Sequence, residues 1–95
     1  MPAYMIVDIN ISDLPAYAEY AKQVPAIVRK HGGEYLARGG KTEVMEGTWI
    51  PNRIALFQFP NVEAIRAFLS DPEYQPLKAI RHRVAKTNAI AVEGV

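Results

Sequence analysis

A chain of 95 residues, 49% hydrophobic and 22% charged, has room for one modest core that buries roughly 64% of its unfolded surface. With no cysteine it cannot build a disulfide framework, a thiolate zinc site or a cysteine nucleophile, and its formal net charge of +1 is too small for the electrostatics that dominate nonspecific nucleic-acid binding. No apolar run approaches the ~20 residues of a membrane span and no basic stretch leads into an apolar one at the start, so the expectation is a single cytoplasmic domain over residues 1–95 with no membrane and no nucleic-acid partner.

Residues 3–11, AYMIVDINI, are almost continuously apolar and β-branched, as in a strand covered on both faces. Ser12-Asp13 then offers an N-cap and Pro15 a first-turn residue whose missing N–H costs nothing, while Leu14, Tyr17, Ala21, Val24 and Val28 recur at helical spacing. The spacing predicts a helix that ends at His31-Gly32. Pro25 lies inside it and cannot bond to the carbonyl of Ala21, which predicts a kink or a break.

Glu34–Arg38 reads as a short strand, Thr42–Glu46 as its continuation or partner, and Arg53–Phe59 as a strongly apolar third strand, making a hairpin of the middle of the chain. Pro60-Asn61 stops that strand and caps a helix carried by Val62, Ile65, Phe68 and Leu69. Asp71-Pro72 supplies an N-cap and a proline at the first helical position of a third helix, with Tyr74, Leu77, Ile80 and Val84 on its apolar face. Thr87–Glu93 closes the chain as the last strand.

The order β-α-β-β-α-α-β is that of an α+β ferredoxin-like plait with its second helix split in two and an antiparallel sheet. Helices cover one face of such a sheet, yet the strands lack the apolar/polar alternation of a solvated second face. The simplest cover is the same face of a second copy, which predicts a homodimer joined through its sheet faces.

GGEYLARGG, MEGTWIPNR, FQFPNVEAIRAFL, DPEYQPLKAIR and a closing AVEG follow the order and spacing of the domain of unknown function 1330 family, which the chain resembles over nearly its whole length. The resemblance implies the dimeric α/β-barrel superfamily, which includes cofactor-independent monooxygenases, muconolactone isomerase and haem-dependent enzymes. It implies fold and dimer directly and activity only by analogy, because one fold hosts many chemistries. The chain departs from the family pattern at Asp71, where Ser usually precedes Pro-Glu-Tyr, and at Phe68-Leu69, where an aromatic pair is usual.

Chemistry concentrates between His31 and Arg53, where two glycine pairs, three acids, two arginines and the only tryptophan surround short strand-like pieces. Arg38 follows Leu36 at a strand interval, so in a regular strand both point to one covered face. There its guanidinium either faces an anionic ligand or forms a buried ion pair with Asp8 or Glu46. Asp8 interrupts the first strand on the side of Tyr4, Ile6 and Asn10; desolvated, it is a candidate general base, as is Glu46 more weakly, and a structural hydrogen bond explains Asp8 equally well.

Trp49 sits in the connection bracketed by Glu46 and Arg53, as a pocket lid or an interface anchor, and Glu46 with Arg53 reads first as a hairpin salt bridge. Tyr74 lies in the first turn of the third helix, as a ligand contact near the helix dipole or as a core tyrosine with its hydroxyl satisfied. Arg38, Trp49 and Arg53 are expected to border one pocket. His31 and His82 lack metal-site spacing, so neither metal nor cofactor is expected. The run Arg81-His82-Arg83 reads as a solvated helix face.

No GxGxxG, P-loop or serine elbow occurs, and the strand aromatics lack a basic ribonucleoprotein motif. Two readings stand: a small-molecule enzyme of the cofactor-independent monooxygenase or isomerase kind, acting on a small organic acid or aromatic, and a non-catalytic metabolite-binding or structural dimer.

Overall fold

The computed structural model describes residues 1–95. Four strands, β1 (Ala3–Ile11), β2 (Glu34–Arg38), β3 (Arg53–Phe59) and β4 (Ala85–Glu93), and three helices, α1 (Leu14–Lys30), α2 (Val62–Ser70) and α3 (Gln75–Val84), follow the predicted order. The sheet runs β2-β3-β1-β4 with every neighbour antiparallel. The shortest extent, 16 Å, is that of one helix layer on one sheet layer. No helix is long and apolar enough to cross a membrane.

Burial does alternate, although the side chains hide it. Ala3, Met5, Val7 and Ile9 of β1 and Ala55, Phe57 and Phe59 of β3 are buried against the helices, whereas Tyr4, Ile6, Asp8, Ile54, Leu56 and Gln58 between them are only half-buried. The strands read as covered on both faces because the second face is largely apolar too, continuing into exposed Ile90 and Val92 of β4. One cluster of 18 buried residues forms the core on the helix side.

The helix caps follow from the sequence. Asp13 accepts from the Ala16 N–H at 3.2 Å and Asn61 from the Ala64 N–H at 2.8 Å, satisfying amides that a helix start leaves unpaired. At the other end of α1, Gly32 takes φ +77 as the chain turns. Leu14 is exposed and Tyr20 is buried in the core, so the buried stripe of α1 lies on Tyr17, Tyr20, Val24, Ile27 and Val28.

Three expectations are corrected. Of the kink or break expected at Pro25, the break does not occur, since α1 continues from Leu14 to Lys30. Thr42–Glu46 forms no strand, because after Gly39 (φ +67) the chain leaves the sheet and residues 40–52 pair with no other strand. Finally, α3 starts at Gln75 rather than at Pro72. The Asp71 carboxylate accepts from the Glu73 N–H at 2.8 Å and its carbonyl from the Tyr74 N–H at 2.9 Å, so Asp71-Pro72 builds the turn that feeds the helix.

Candidate functional site

Between the helix side of the sheet and the helices lies a cavity of about 50 Å³ walled mainly by apolar and aromatic residues. Its polar lining consists of Arg38, Arg53 and Arg81 with Tyr17, Tyr20, Tyr35 and Tyr74. No Asp, Glu or His lines it.

Arg38 reaches the cavity through an irregularity in β2. Tyr35 pairs with Phe57, but the next pair is Ala37 with Leu56, so a β-bulge absorbs Leu36 and puts Arg38 opposite Ala55 on the helix side. Arg38 therefore shares its face with Tyr35 rather than with Leu36 in a regular alternation. Its guanidinium lies 4.6 Å from the Tyr35 ring centroid, and its Nη2 donates to the Ala21 carbonyl. That carbonyl is the one Pro25, lacking an N–H, leaves without its helical partner. The proline fault in α1 and the arginine at the cavity mouth are one arrangement.

Arg53 opens β3 opposite Ile9, and its guanidinium carbon lies 6.0 Å from the Tyr17 ring centroid. The φ of +67 at Gly39 disfavours other residues, and a Cβ there would require the Arg53 guanidinium to move. Arg81 corrects the expectation of a solvated run. It is 9% exposed and lines the cavity, while His82 and Arg83 on either side of the stripe are exposed. The signal was its interval, i+4 from Leu77 and i−3 from Val84, both buried on the same stripe.

None of the three arginines is ion-paired, since the salt bridges all lie elsewhere. The pairs expected for Arg38 with Asp8 or Glu46, and for Arg53 with Glu46, do not form. Asp8 is on the opposite sheet face, where its carboxylate accepts from the Asn52 N–H at 2.9 Å and holds the end of the β2–β3 connection. Glu46 is exposed in that connection.

Burial pushes the Tyr17 hydroxyl above its ordinary range, against the opposing pull of Arg53, Arg38 and Arg81. Burial likewise pushes Tyr35 up to about 12, and drives Tyr20 well above its usual value with help from the adjacent Tyr74. These phenols are therefore neutral hydrogen-bond donors at ordinary pH. The Tyr20 and Tyr74 hydroxyls are bonded to each other at 2.8 Å, and Tyr74 is 2% exposed. Tyr74 is thus at once a satisfied core tyrosine and part of the cavity wall.

Of the residues singled out in the sequence, Arg38, Arg53 and Tyr74 come together. Trp49 does not join them. It is 64% exposed and borders a hollow on the other sheet face with Ile6, Asp8, Asn88 and Ile90. No three His, Asp or Glu side chains converge as metal ligands.

A second charged group lies at the far end of α1. Buried Asp71 meets Lys30 Nζ at 2.8 Å and His31 Nε2 at 2.7 Å, and Lys30 also meets Glu73 at 2.8 Å. Bonds from Lys30, from His31 and from the Glu73 amide hold the Asp71 carboxyl well below the usual carboxylate range. Lys30 is held above its ordinary value by Asp71 and Glu73.

The family model described as Domain of unknown function (DUF1330) matches residues 2–95. The chain belongs to that family. No curated protein matches this DUF1330 sequence. Among solved structures, a protein of unknown function from Rhodopseudomonas palustris superposes with a TM-score of 0.80 at 18% identity, over 99% of this chain and 82% of that one. SnoaB, a cofactor-independent oxygenase from Streptomyces nogalater, superposes with a TM-score of 0.68 at 8% identity, over 99% of this chain and 93% of its own. A dimeric protein of unknown function and ferredoxin-like fold from Bacteroides fragilis gives a TM-score of 0.64 at 17% identity, over 98% and 96%. These likenesses establish that the DUF1330 chain has the ferredoxin-like fold.

Proposed function

We propose that this DUF1330 member binds a small organic anion in the helix-side cavity and performs cofactor-independent chemistry on it, of the monooxygenase or isomerase kind. The observation that carries this reading is the set of three guanidiniums lining an apolar cavity with no acid among them. Of the three, Arg81 is buried without an ionic partner while Arg53 is half-buried and Arg38 exposed at the mouth; a buried unpaired cation is costly, and an anionic ligand offsets that cost. Guanidiniums also stabilise charge that develops on an enolate or carboxylate oxygen, while a neutral phenol such as Tyr17 can donate to it. The likeness in fold to SnoaB supports this class of chemistry by analogy.

A second reading, a dimer that binds a metabolite without turning it over, is favoured by the absence of any carboxylate or imidazole in the lining to act as a base. Either way we propose a homodimer joined through the open sheet faces, where Tyr4, Ile6, Leu56, Ile90 and Val92 form an apolar surface. The dimeric B. fragilis neighbour supports this assembly.

Mass spectrometry of small molecules carried by the purified protein tests the ligand. Arg38→Met is expected to abolish retention of an anion while leaving the fold intact, since it keeps the apolar stem and removes the donors. Retention undiminished by the change would refute the proposal. Light scattering tests the assembly, and a sharp monomer at micromolar concentration would end the case for the dimer. Turnover of a retained acid, or its unchanged recovery after incubation in air, separates the two functional readings.

A further inference from the structure

We infer that the cavity's ligand is a compact dianion, a single small molecule carrying two negative charges, and that Arg81 is the anchor for the second of them. The inference rests on the reading of the cavity as an anion site and narrows its ligand class.

Charge comes first. Arg53, Arg38 and Arg81 all act electrostatically on the Tyr17 hydroxyl, and no acid of the protein is paired with any of them. One carboxylate takes one bidentate guanidinium; bound by Arg38 and Arg53, which are exposed and half-buried at the sheet side, it leaves Arg81, the one buried guanidinium, uncompensated.

Placement comes second. Arg38 and Arg53 enter from the sheet and Arg81 from α3, the opposite wall. Arg81 is 91% buried by its 9% exposure, its Nε has no protein partner, and its Nη2 has only His82 Nε2 at 3.5 Å. Arg38, in contrast, already donates to Ala21. A second acidic group on the ligand would supply the acceptor that Arg81 lacks.

Size comes third. At about 50 Å³ the cavity falls well below the ~150 Å³ that accommodates benzene in an apolar core. Charge density rather than bulk is what the site can select, which favours a phosphoryl group first and, among dicarboxylates, only the shortest, over the larger aromatic acids.

Titration of the purified protein at constant ionic strength with malonate, inorganic phosphate, acetate and propionate, followed by calorimetry and thermal shift, tests this. Malonate or phosphate is expected to bind at least about tenfold more tightly than acetate, the gain from one added charge-assisted contact. Preference for malonate assigns the second charge to a carboxylate, and preference for phosphate to a phosphoryl group; both support the dianion. Arg81→Met is expected to erase the preference while acetate binding persists, and Arg81→Lys to restore part of it. Equal binding of mono- and dianions by the unaltered protein overturns the inference and leaves the anion site standing, whereas binding of none of the four removes the anion site as well. Because the unaltered protein gives the deciding comparison, a failure of Arg81→Met to fold does not blunt the test.

Discussion

Two charged groups flank α1, and they are built on opposite rules. At its C-terminal end Lys30 meets Asp71 and Glu73 and His31 meets Asp71, so that acids and their partners answer one another within 2.8 Å. Along its first half Arg38, Arg53 and Arg81 line a cavity with no acid at all. The first group is electrostatically complete and ties α1 to the turn before α3. The second has no acid of the protein to answer it, and it is there that we propose a ligand binds. Complementarity of charge, rather than the number of charges, separates the fastening from the proposed binding site.

The partition between the two is Phe68, whose ring lies 6.4 Å from His31 on one side and 4.4 Å from Tyr74 on the other. Phe68→Ala removes it from the middle of the core and is expected to cost about 3–5 kcal/mol. Denaturant unfolding measures this, and a loss under about 1 kcal/mol would mean that the two groups are not separated by a packed wall.

Next in size is Asp71→Asn, which breaks the complete group. The folded carboxyl lies below its ordinary value of 3.8, so its stabilisation is full above that value and is lost as the pH falls below it. Urea midpoints at pH 7 and pH 3 are expected to show the variant less stable at pH 7 and its stability less dependent on acid. Parallel acid sensitivity in both proteins would assign that leg to other carboxylates.

Tyr20→Phe leaves the Tyr74 hydroxyl without its buried partner and is expected to cost about 1 kcal/mol, part of which the Tyr20→Phe/Tyr74→Phe double variant recovers. Strict additivity in a double-mutant cycle would show that the hydroxyls act independently. The smallest effect on stability belongs to the incomplete group. Arg53→Met is expected to change the stability of the ligand-free protein by less than about 1 kcal/mol, in either direction, because no ion pair is lost. It is also expected to erase the rise in Tm that malonate produces. A large loss of stability without added anion would show a partner that complements the guanidinium within the fold.

Much of this arrangement is legible from residue spacing. Element order, the Asp13 and Asn61 caps and the bulk of the core follow from local periodicity and capping chemistry, which act over a few residues and so leave their mark in sequence. The site needed long-range information. The bulge that absorbs Leu36 shifts the parity of β2, and strand alternation alone has no means of anticipating it. Proximity in sequence puts Trp49 beside Arg38, yet the connection carries it to the opposite face of the sheet. Arg81 was readable from its interval to Leu77, but its neighbours His82 and Arg83 made the run look like a solvated face. The bonding of Asp71 to His31 joins positions 40 residues apart, and nothing in their local surroundings announces it.

A proline within a helix costs about 3 kcal/mol, and a 95-residue domain with only about 5–15 kcal/mol of total stability gives up a substantial part of it to keep Pro25. The same residue exposes the carbonyl that Arg38 uses. Selection for robustness alone would favour alanine there, with the helix bond to Ala21 restored and the exposed Arg38 deprived of that acceptor. If the cavity binds the proposed anion, position 25 is a place where thermostability and recognition pull against each other, and hardening the protein at that helix is expected to loosen its hold on that ligand.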